Sequence, residues 1–578
     1  MASNGCAGSS PARGTPKIIS MMHKNLFIPL SAIVLLALTS CSKLGVLSSD
    51  NFNVTPNPLE TQAGQVPVTI NGLFPEKYMN KKAVVTVIPE LRYGNGLSTQ
   101  GSGATFQGEK VQSNDQTISY RVGGRYTMKT NFVYTPDMHK SDLYLTFDAK
   151  IGKKKVKVPA VKVATGIIAT SELSKNTLKT SNPCLALDSF KRVTEQKQEA
   201  NIKFLIQQAN LRKSELKNNS VKEFVNLLKK INKDKEGLNI NNVEISAYAS
   251  PDGGVKLNDK LANKRQNVSE TYVKGQLKQT KVSAPIDAKY TAQDWEGFQE
   301  LVKASNIQDK DLIIRVLSMY QDPQQREQQI RNMSAAFKEL ADGILPELRR
   351  SRLTINYETI GRDDQQILDQ LDKDAKKLSV EEMLYAATLK DNNNDKETVY
   401  KQTTEVYPND YRAYNNIAVM ELAKGNTNDA KEYLQKALEV NPKAPEANGN
   451  LGYIALLNNN KEEAETYILK AQNANGINEV LGNLNLAKGN YAEAENNFNG
   501  INSNSAALAQ ILNKDYAKAA NTLKGVKNSD AITDYLSAIL NARTGNNDAA
   551  SIQLKRAISK DSSLADYATN DLEFAKMK

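Results

Sequence analysis

One stretch decides the architecture of the back of the chain: residues 414–442 read YNNIAVMELAKGNTNDAKEYLQKALEVNP. Apolar and small side chains recur in it at helical spacing, in two runs that a glycine separates. The recurring positions are Tyr414, Ile417, Ala418, Gly425, Ala430, Leu434, Ala437 and Pro442. About 34 residues later, the same residue classes return at Leu451, Gly452, Ala464, Ile468 and Ala471. A period of this length indicates paired helices that bury their apolar faces only against neighbouring pairs.

The repeat resembles the tetratricopeptide family, which stacks helix pairs into an all-α solenoid and presents a concave groove to peptides or other proteins. We expect the array over residues 376–578, with shortened copies from Leu481 onward and a cap at the end. Four asparagines lie on the first helices of the repeats: Asn415, Asn416, Asn448 and Asn450. Two interpretations of them stay open, hydrogen bonds to the backbone of a bound partner or ordinary solvated and inter-repeat positions.

The front of the chain carries an export signal. Residues 26–38 form a hydrophobic run that is too short to span a bilayer comfortably and is typical of a secretory signal. The following Leu38-Thr39-Ser40-Cys41 resembles the bacterial lipobox, in which small residues precede a cysteine that receives lipid and becomes the new N-terminus. We predict a signal peptide over residues 1–40, of which 1–20 reflect a start codon assigned too far upstream. Lipid at Cys41 then anchors the protein to the outer membrane without a spanning helix.

The residues that follow Cys41 indicate which side of the outer membrane the protein faces. Ser42-Lys43-Leu44-Gly45 lacks an acidic cluster of the kind that resembles surface-export signals in Bacteroidetes lipoproteins. A lipid-anchored protein of the outer membrane that faces the periplasm is therefore expected.

Residues 41–180 alternate apolar and polar side chains in short runs between glycine- and proline-containing turns, which predicts an antiparallel β-sandwich. Pro67 lies inside one run, which we assign to an edge strand because proline cannot donate to a ladder. Another strand is expected over residues 117–121. His139 is expected to be a solvated loop residue, since no nucleophile or orienting partner is spaced near it.

The composition excludes several classes of function. The 578 residues include two histidines and three cysteines, which excludes multi-histidine metal sites, four-thiolate zinc sites and a disulfide framework. Cys184 is expected to be a buried small apolar residue. The net charge of +11 favours an anionic surface such as lipid headgroups, or serves only solubility. We expect no enzyme, no cofactor, no metal and no nucleic acid partner.

Residues 182–362 mix longer helical segments with strands, which predicts an α+β domain. Strands are expected at 202–204, 243–248 and 353–357, and helices at 220–231 and 258–273.

A motif in this domain is specific. Residues 245–253, ISAYASPDG, followed by NDKLANKR at 258–265, resemble the C-terminal domain family of OmpA, which binds peptidoglycan. The resemblance includes a long helical insertion before the last strand. In the family, a loop aspartate and a helix arginine clamp the amine and carboxylate of diaminopimelate.

The resemblance implies site residues one by one. Arg265 matches the arginine of the family, whose guanidinium suits a carboxylate, and Asn258 matches its asparagine. Ser250 occupies the position of the aspartate and offers no negative charge, so Asp252 is the candidate to compensate. A peptidoglycan site of Arg265, Asp252, Asn258 and Ser250, or a domain that has lost this site and binds protein, both remain open.

The order of these parts predicts a non-catalytic, lipid-anchored scaffold of the outer membrane. Its repeats would bind protein partners, and its OmpA-like domain would tether peptidoglycan. The alternative is an accessory lipoprotein of a secretion or fimbrial assembly machine, whose OmpA-like domain no longer binds the cell wall. Glycan hydrolysis is the third reading, and no carboxylate pair stands out for it.

Overall fold

The computed structural model describes residues 44–332 and 334–577, so the predicted signal peptide and the predicted lipidation site Cys41 lie outside the described residues. The chain forms two compact units. One comprises Met1–Ser181 with Leu481–Lys578, and the other comprises Asn182–Val480. The array expected over residues 376–578 is therefore divided between the two units.

The first part of the chain is β-rich, as predicted. Its elements are β1 (Phe52–Thr55), β2 (Leu59–Glu60), β3 (Gln65–Phe74), β4 (Ala83–Tyr93), β5 (Leu97–Gln100), β6 (Ala104–Gly108), β7 (Gln116–Ile118), β8 (Gly124–Val133), β9 (Ser141–Ile151), β10 (Lys154–Val156), β11 (Val161–Thr165), β12 (Ile167–Ile168) and α1 (Ser174–Leu178). One sheet has the order β1-β3-β8, and a larger one the order β10-β9-β4-β6-β7 with β11 on β9 and β5 on β4. Ile70, Val85 and Leu145 belong to a core that both sheets share. The pairs β6–β7 and β2–β12 are parallel, unlike the antiparallel pairing that we expected.

Two strand predictions are wrong. Pro67 lies in β3, which is the central strand of its sheet rather than an edge strand. It is tolerated because β1 pairs only with Thr69–Gly72, so the ladder on that side does not reach the proline. The strand expected over residues 117–121 ends at Ile118, because the chain turns between Ser119 and Gly123.

The prediction of a solvated His139 is also wrong. Its side chain is buried, 8% exposed, at the end of a short 3-10 turn. The hydroxyl of Tyr134 lies 2.9 Å from Nδ1, and the ring packs edge-on against Tyr567. Because burial lowers the pKa of His139, the imidazole is a neutral core group.

The middle of the chain is an α+β fold. Its elements are β13 (Val193–Lys203), α2 (Asn219–Lys233), β14 (Leu238–Tyr248), α3 (Val255–Thr280), β15 (Ile286–Thr291), α4 (Trp295–Ala304), α5 (Lys310–Met319), α6 (Pro323–Asn332), α7 (Ser334–Glu339), a π-helical turn (Leu340–Ile344), α8 (Leu345–Leu348) and β16 (Arg350–Ile360). The sheet has the order β13-β16-β14-β15, with β14 and β15 parallel. The predicted strands and helices are confirmed and are longer than expected.

Two cores stabilise this part. The helices α2 and α3 bury Phe224 and Val273 against Ile355 of the sheet. Asn218 caps α2 by accepting a hydrogen bond from the N–H of Val221 at 2.8 Å. The insertion between β15 and β16 has a core of its own around Phe298.

The rest of the described chain is helical. The helices are α9 (Asp364–Asp374), α10 (Val380–Thr388), α11 (Asn393–Val406), α12 (Tyr411–Lys424), α13 (Thr427–Val440), α14 (Pro445–Leu457), α15 (Lys461–Ile468), α16 (Ile477–Lys488), α17 (Tyr491–Asn497), α18 (Asn504–Leu512), α19 (Tyr516–Gly525), α20 (Ala531–Arg543), α21 (Asn547–Lys560) and α22 (Leu564–Asn570). Gly425 ends α12 in the left-handed conformation, with φ +82°, that glycine adopts without strain. Ala430 and Ala464 are fully buried, as the repeat pattern predicts. Within the described residues, no helix is both long and apolar enough to cross a membrane.

Candidate functional site

The repeats up to Val480, which we call the front repeats, hold an irregular segment of the chain's own backbone. Residues 182–190, Asn-Pro-Cys-Leu-Ala-Leu-Asp-Ser-Phe, contain neither helix nor strand and lie against the first helices of the repeats. We refer to residues 182–190 as the strap. The groove that holds it is formed by α12, α14 and the start of α16, and all of these residues belong to the same compact unit.

Three asparagines bind the main chain of the strap. Asn450 accepts a hydrogen bond from the N–H of Cys184 at 2.7 Å and donates one to its carbonyl at 2.8 Å. Asn415 donates to the same carbonyl at 3.0 Å. Asn416 accepts from the N–H of Ala186 and donates to its carbonyl, both at 2.9 Å. Each bound strap residue thus has both of its backbone groups satisfied by side-chain amides.

These contacts decide between the two interpretations of the asparagines. Asn415, Asn416 and Asn450 bind a backbone, and that backbone is the chain's own. Asn448 does not take part, because its side-chain amide donates to the carbonyl of Ala444 in its own helix at 2.8 Å.

Three further side chains fix the direction of the strap. The carboxylate of Glu479 accepts from the backbone N–H and the side-chain amide of Asn182, both at 3.1 Å. At the other end, the guanidinium of Arg412 donates to the carbonyl of Asp188 at 3.0 Å. Asn475 donates to the carbonyl of Leu185 at 3.0 Å. Burial raises the pKa of Glu479, which its two bonds with Asn182 oppose.

Only small side chains fit the inward positions of the strap. Cys184 is fully buried and Ala186 is 2% exposed, whereas Leu187 is 58% exposed. A Cβ built on Gly449 of α14 would lie 2.7 Å from Sγ of Cys184, which is far inside contact distance. Burial raises the pKa of the Cys184 thiol to about 12, so it stays protonated. The prediction that Cys184 is a buried small apolar residue is confirmed for its burial.

The sequence pattern did not predict the strap or the roles of Arg412, Asn475 and Glu479. One signal was available: behind Pro183, side chains of small size alternate with larger ones, a pattern of extended chain. Nothing local indicated that this linker would lie in the groove of helices more than two hundred residues away, as the separation of 266 residues between Cys184 and Asn450 illustrates.

The other compact unit binds the residues just before the strap through hydroxyl groups. The side chain of Ser505 on α18 donates to Thr177 at 2.9 Å and lies 3.2 Å from the hydroxyl of Ser181. Asn483 donates to the same Ser181 hydroxyl at 3.0 Å. Leu173 belongs to the apolar core of the repeats from Leu481 onward, which we call the rear repeats.

The structure brings the four residues predicted for peptidoglycan binding together around residues 249–254, and Arg265 is fully buried among them. Its guanidinium donates to three backbone carbonyls, those of Tyr248 at 2.8 Å, Gln208 at 3.0 Å and Leu205 at 3.2 Å. Burial, reinforced by the charge of Arg349, lowers the pKa of Arg265 to about 10, so it remains charged at neutral pH. Each of the three nitrogens is therefore bonded within the protein, and the guanidinium is fully buried, so it presents no exposed face to a carboxylate.

The acidic part of the predicted site is paired as well. Arg349 donates to the carboxylate of Asp252 at 3.0 Å and to the hydroxyl of Ser250 at 3.2 Å, and the same hydroxyl donates to Asp252. Asn258 donates to the carbonyls of Ser250 and Gly253 at 2.9 and 2.8 Å, which fixes the loop. Arg349, which the motif does not include, pairs with Asp252, so a ligand ammonium would have to displace its guanidinium.

No group of three histidine, cysteine, aspartate or glutamate side chains is placed to hold a metal ion in residues 44–332 and 334–577.

Among comparisons with known proteins, a family model identifies the repeats. A family model described as tetratricopeptide repeat matches residues 421–479. Similar solved structures include a tetratricopeptide repeat protein from Parabacteroides merdae, at 18% identity over 34% of this chain and 85% of that chain, with a TM-score of 0.26. The pilF protein of Pseudomonas aeruginosa has 18% identity over 37% of this chain and 96% of that chain, with a TM-score of 0.26. Among curated proteins, none matches the chain.

The family match confirms tetratricopeptide repeats in the C-terminal region, and with them a fold that serves protein–protein interaction. The OmpA-like nature of residues 182–362, lipid attachment and peptidoglycan binding stay predictions.

Proposed function

We propose that the protein is a non-catalytic scaffold of the outer membrane that binds protein partners through its repeats. The observation that supports this most is the strap in its groove. The front repeats bind an irregular peptide through its main chain, so the side chains needed to bind a peptide are present and correctly spaced. Lipid at Cys41 would hold the scaffold to the periplasmic side of the membrane.

The geometry around Arg265 favours the version in which the OmpA-like domain no longer binds the cell wall. Binding of a diaminopimelate carboxylate to Arg265 would require the guanidinium to leave carbonyls of its own domain, and an ammonium would have to displace Arg349 from Asp252. Both exchanges leave buried polar groups without partners, which costs about 1–3 kcal/mol for each group. We therefore assign this domain a structural or protein-binding role.

The anchor is tested by metabolic labelling with an alkyne fatty acid. Wild type is expected to carry the label and to fractionate with the outer membrane, whereas Cys41→Ser carries no label and leaves the membrane fraction. Label on Cys41→Ser, or membrane association unchanged by the substitution, contradicts a lipid anchor at this residue.

Partner binding is tested in cells with a photo-crosslinking amino acid in place of exposed Leu469, between two helices of the repeats. The matched control carries it at exposed Leu97 of the β-rich part. A protein that crosslinks from the first position but not the second, and that captures this chain in the reciprocal experiment, supports the scaffold. The absence of any such protein contradicts it. Components of a secretion or fimbrial machine among the captured proteins would select the accessory-lipoprotein alternative.

Wall binding is tested by sedimentation with purified diaminopimelate-type peptidoglycan. Wild type is expected to stay in the supernatant. If wild type sediments and Arg349→Ala sediments more strongly, the domain is a wall tether and the role assigned to it here is wrong.

A further inference from the structure

We propose that the groove of the front repeats is a binding site for an extended peptide of a partner, and that the strap occupies this site in cis until the partner displaces it. The inference rests on the proposed function and names the class of partner: a peptide with small side chains at two alternate positions, such as alanine, serine, cysteine or glycine. The strap is thus the internal copy of the ligand.

The main chain of the strap carries most of the polar contacts, which is why another peptide can replace it. Asn450 and Asn416 each bind the N–H and the C=O of one residue, and these groups are present in every peptide. The two bound residues, Cys184 and Ala186, are separated by one, as in extended chain whose side chains alternate in direction. A displacing peptide in the same conformation satisfies the same amides, so no buried asparagine loses its partners in the exchange.

The direction of the peptide follows from the two ends of the groove. Glu479 accepts from a backbone N–H at the N-terminal end, and Arg412 donates to a carbonyl at the C-terminal end. A peptide bound in the reverse direction would present a carbonyl to Glu479, and a carboxylate only accepts hydrogen bonds. The partner is therefore expected to bind parallel to the strap.

Side-chain selection comes from the two inward positions. Sγ of Cys184 lies so close to Gly449 that a methyl group added to this glycine would come within 2.7 Å of the sulfur. Ala186 is almost fully buried, whereas the neighbouring Leu187 is largely exposed. The groove therefore rejects large side chains at both inward positions. Leu185, between them, packs against the apolar core of the front repeats, so an apolar side chain is favoured there, whereas the position of the exposed Leu187 is not selected.

Two features make the strap suited to exchange. It contains neither helix nor strand, and Ser189 at its end has a φ of +60°, in the left-handed region that serine disfavours. Its covalent attachment gives it a high effective concentration, so it keeps weak peptides out. Release of the strap is the step that would make the groove available.

The test uses a reversible lock between the strap and the groove. A Cβ on Gly449 would lie 3.5 Å from Cβ of Cys184, within the range that disulfides adopt. Gly449→Cys is introduced into the full chain, in detergent, with Cys6→Ser and Cys41→Ser to remove the other thiols. Diamide closes the lock. Dithiothreitol opens it and leaves a side chain that crowds the strap out of its position.

The probe is a fluorescein-labelled peptide of residues 180–191 with alanine in place of the cysteine. Its affinity is measured by fluorescence polarisation with the same protein in both redox states. We expect binding at least about tenfold tighter in the reduced state than in the oxidised state, because only the reduced state lets the strap leave. A probe that also carries glutamate in place of Ala186 is expected not to bind.

Two further variants are made in the Gly449→Cys protein and measured after reduction. They distinguish binding of the probe in the groove from nonspecific adhesion of the probe elsewhere. Asn416→Ala should abolish probe binding, whereas Asn448→Ala, at an asparagine whose amide bonds within its own helix, should leave it unchanged. Hydrogen exchange of residues 182–190 reports whether the strap has been released.

Equal affinity in the two redox states, or no probe binding while exchange shows the strap released, overturns the inference. A strap that stays protected from exchange in the reduced state overturns it too. The proposed scaffold function has a separate outcome: if a partner still crosslinks at Leu469 when the lock is closed, the scaffold stands and the partner binds outside the groove.

Discussion

The close approach of Cys184 in the strap to Gly449 in the groove predicts the effect of a single methyl group. In Gly449→Ala, the new Cβ would lie 2.7 Å from Sγ of Cys184 and 3.4 Å from Cδ1 of Ile477. Non-bonded heavy atoms attract at about 3.5–4.0 Å, so the strap must move away by about 1 Å. Overpacking of this kind costs about 1–3 kcal/mol, which corresponds to about a 5- to 150-fold rise in the population with the strap undocked.

The helix itself responds in the opposite direction. Alanine is about 1 kcal/mol better than glycine inside a helix, so α14 should be stabilised while the strap is loosened. Hydrogen exchange followed by mass spectrometry resolves the two effects. The amides of Cys184 and Ala186 are expected to exchange about 5- to 150-fold faster than in wild type, and those of α14 no faster.

A matched control is Gly275→Ala in α3, where an added Cβ meets no atom within 4 Å. It should stabilise its domain by about 0.4–1 kcal/mol and leave exchange of the strap unchanged. Unchanged protection of Cys184 and Ala186 in Gly449→Ala would refute the reasoning, because it would mean that the strap does not depend on this contact. Faster exchange in both variants would refute it as well, since the effect would not be specific to the groove.

Three further predictions follow from buried polar groups. Asn416→Ala leaves the N–H and C=O of Ala186 unsatisfied, so it should speed exchange of the strap about tenfold or more, whereas Asn448→Ala should not; equal effects would contradict the assignment of Asn416. Arg265→Ala removes the side-chain donor to three carbonyls, of which that of Leu205 keeps the N–H of Gln208. It should lower the free energy of unfolding of the α+β domain by about 3 kcal/mol or more, seen in urea denaturation; an unchanged midpoint would show that the guanidinium is not structural. Burial raises the pKa of the Asp571 carboxyl from 3.8 to about 6. The folded state therefore binds this proton more tightly than the unfolded state does, and up to about 3 kcal/mol of stability is lost as the pH rises from 4 to 6. Asp571→Asn, which can still accept from the hydroxyl of Tyr535, should abolish this loss in thermal melts at pH 4 and 7, and the same pH dependence in both proteins would contradict the assignment.

The sequence predicted most accurately those features that depend on local periodicity. Ala430 and Ala464 are buried where the repeat places them, and the helix expected at residues 220–231 buries Val221, Phe224 and Leu228 as an amphipathic pattern requires. In both cases the spacing along one helix determines the buried face, so no distant contact is needed for the prediction.

Features that depend on distant contacts could not be predicted in this way. The pattern does not show how far β1 reaches along β3, so it could not place Pro67 in a central strand. Tyr567, which packs on His139, is distant in sequence, so the burial of His139 could not be predicted either. The motif spacing assigned Arg265 and Asp252 to one site, and both lie near residues 248–252 in the structure. Their partners, three carbonyls and Arg349, carry no motif that distinguishes a satisfied charge from one available to a ligand.

The position of the strap in the sequence also affects when the protein can finish folding during its synthesis. Asn182 is made 297 residues before Glu479, and Cys184 is made 266 residues before Asn450. At about 5–20 residues per second, roughly 15 to 60 seconds separate the synthesis of the strap from that of its binding residues. Until then the N–H and C=O groups of Cys184 and Ala186 have no asparagine to bind, so the strap stays undocked while the α+β domain is made. Docking of the strap therefore occurs later than the contacts of an array whose contacts are all between neighbours.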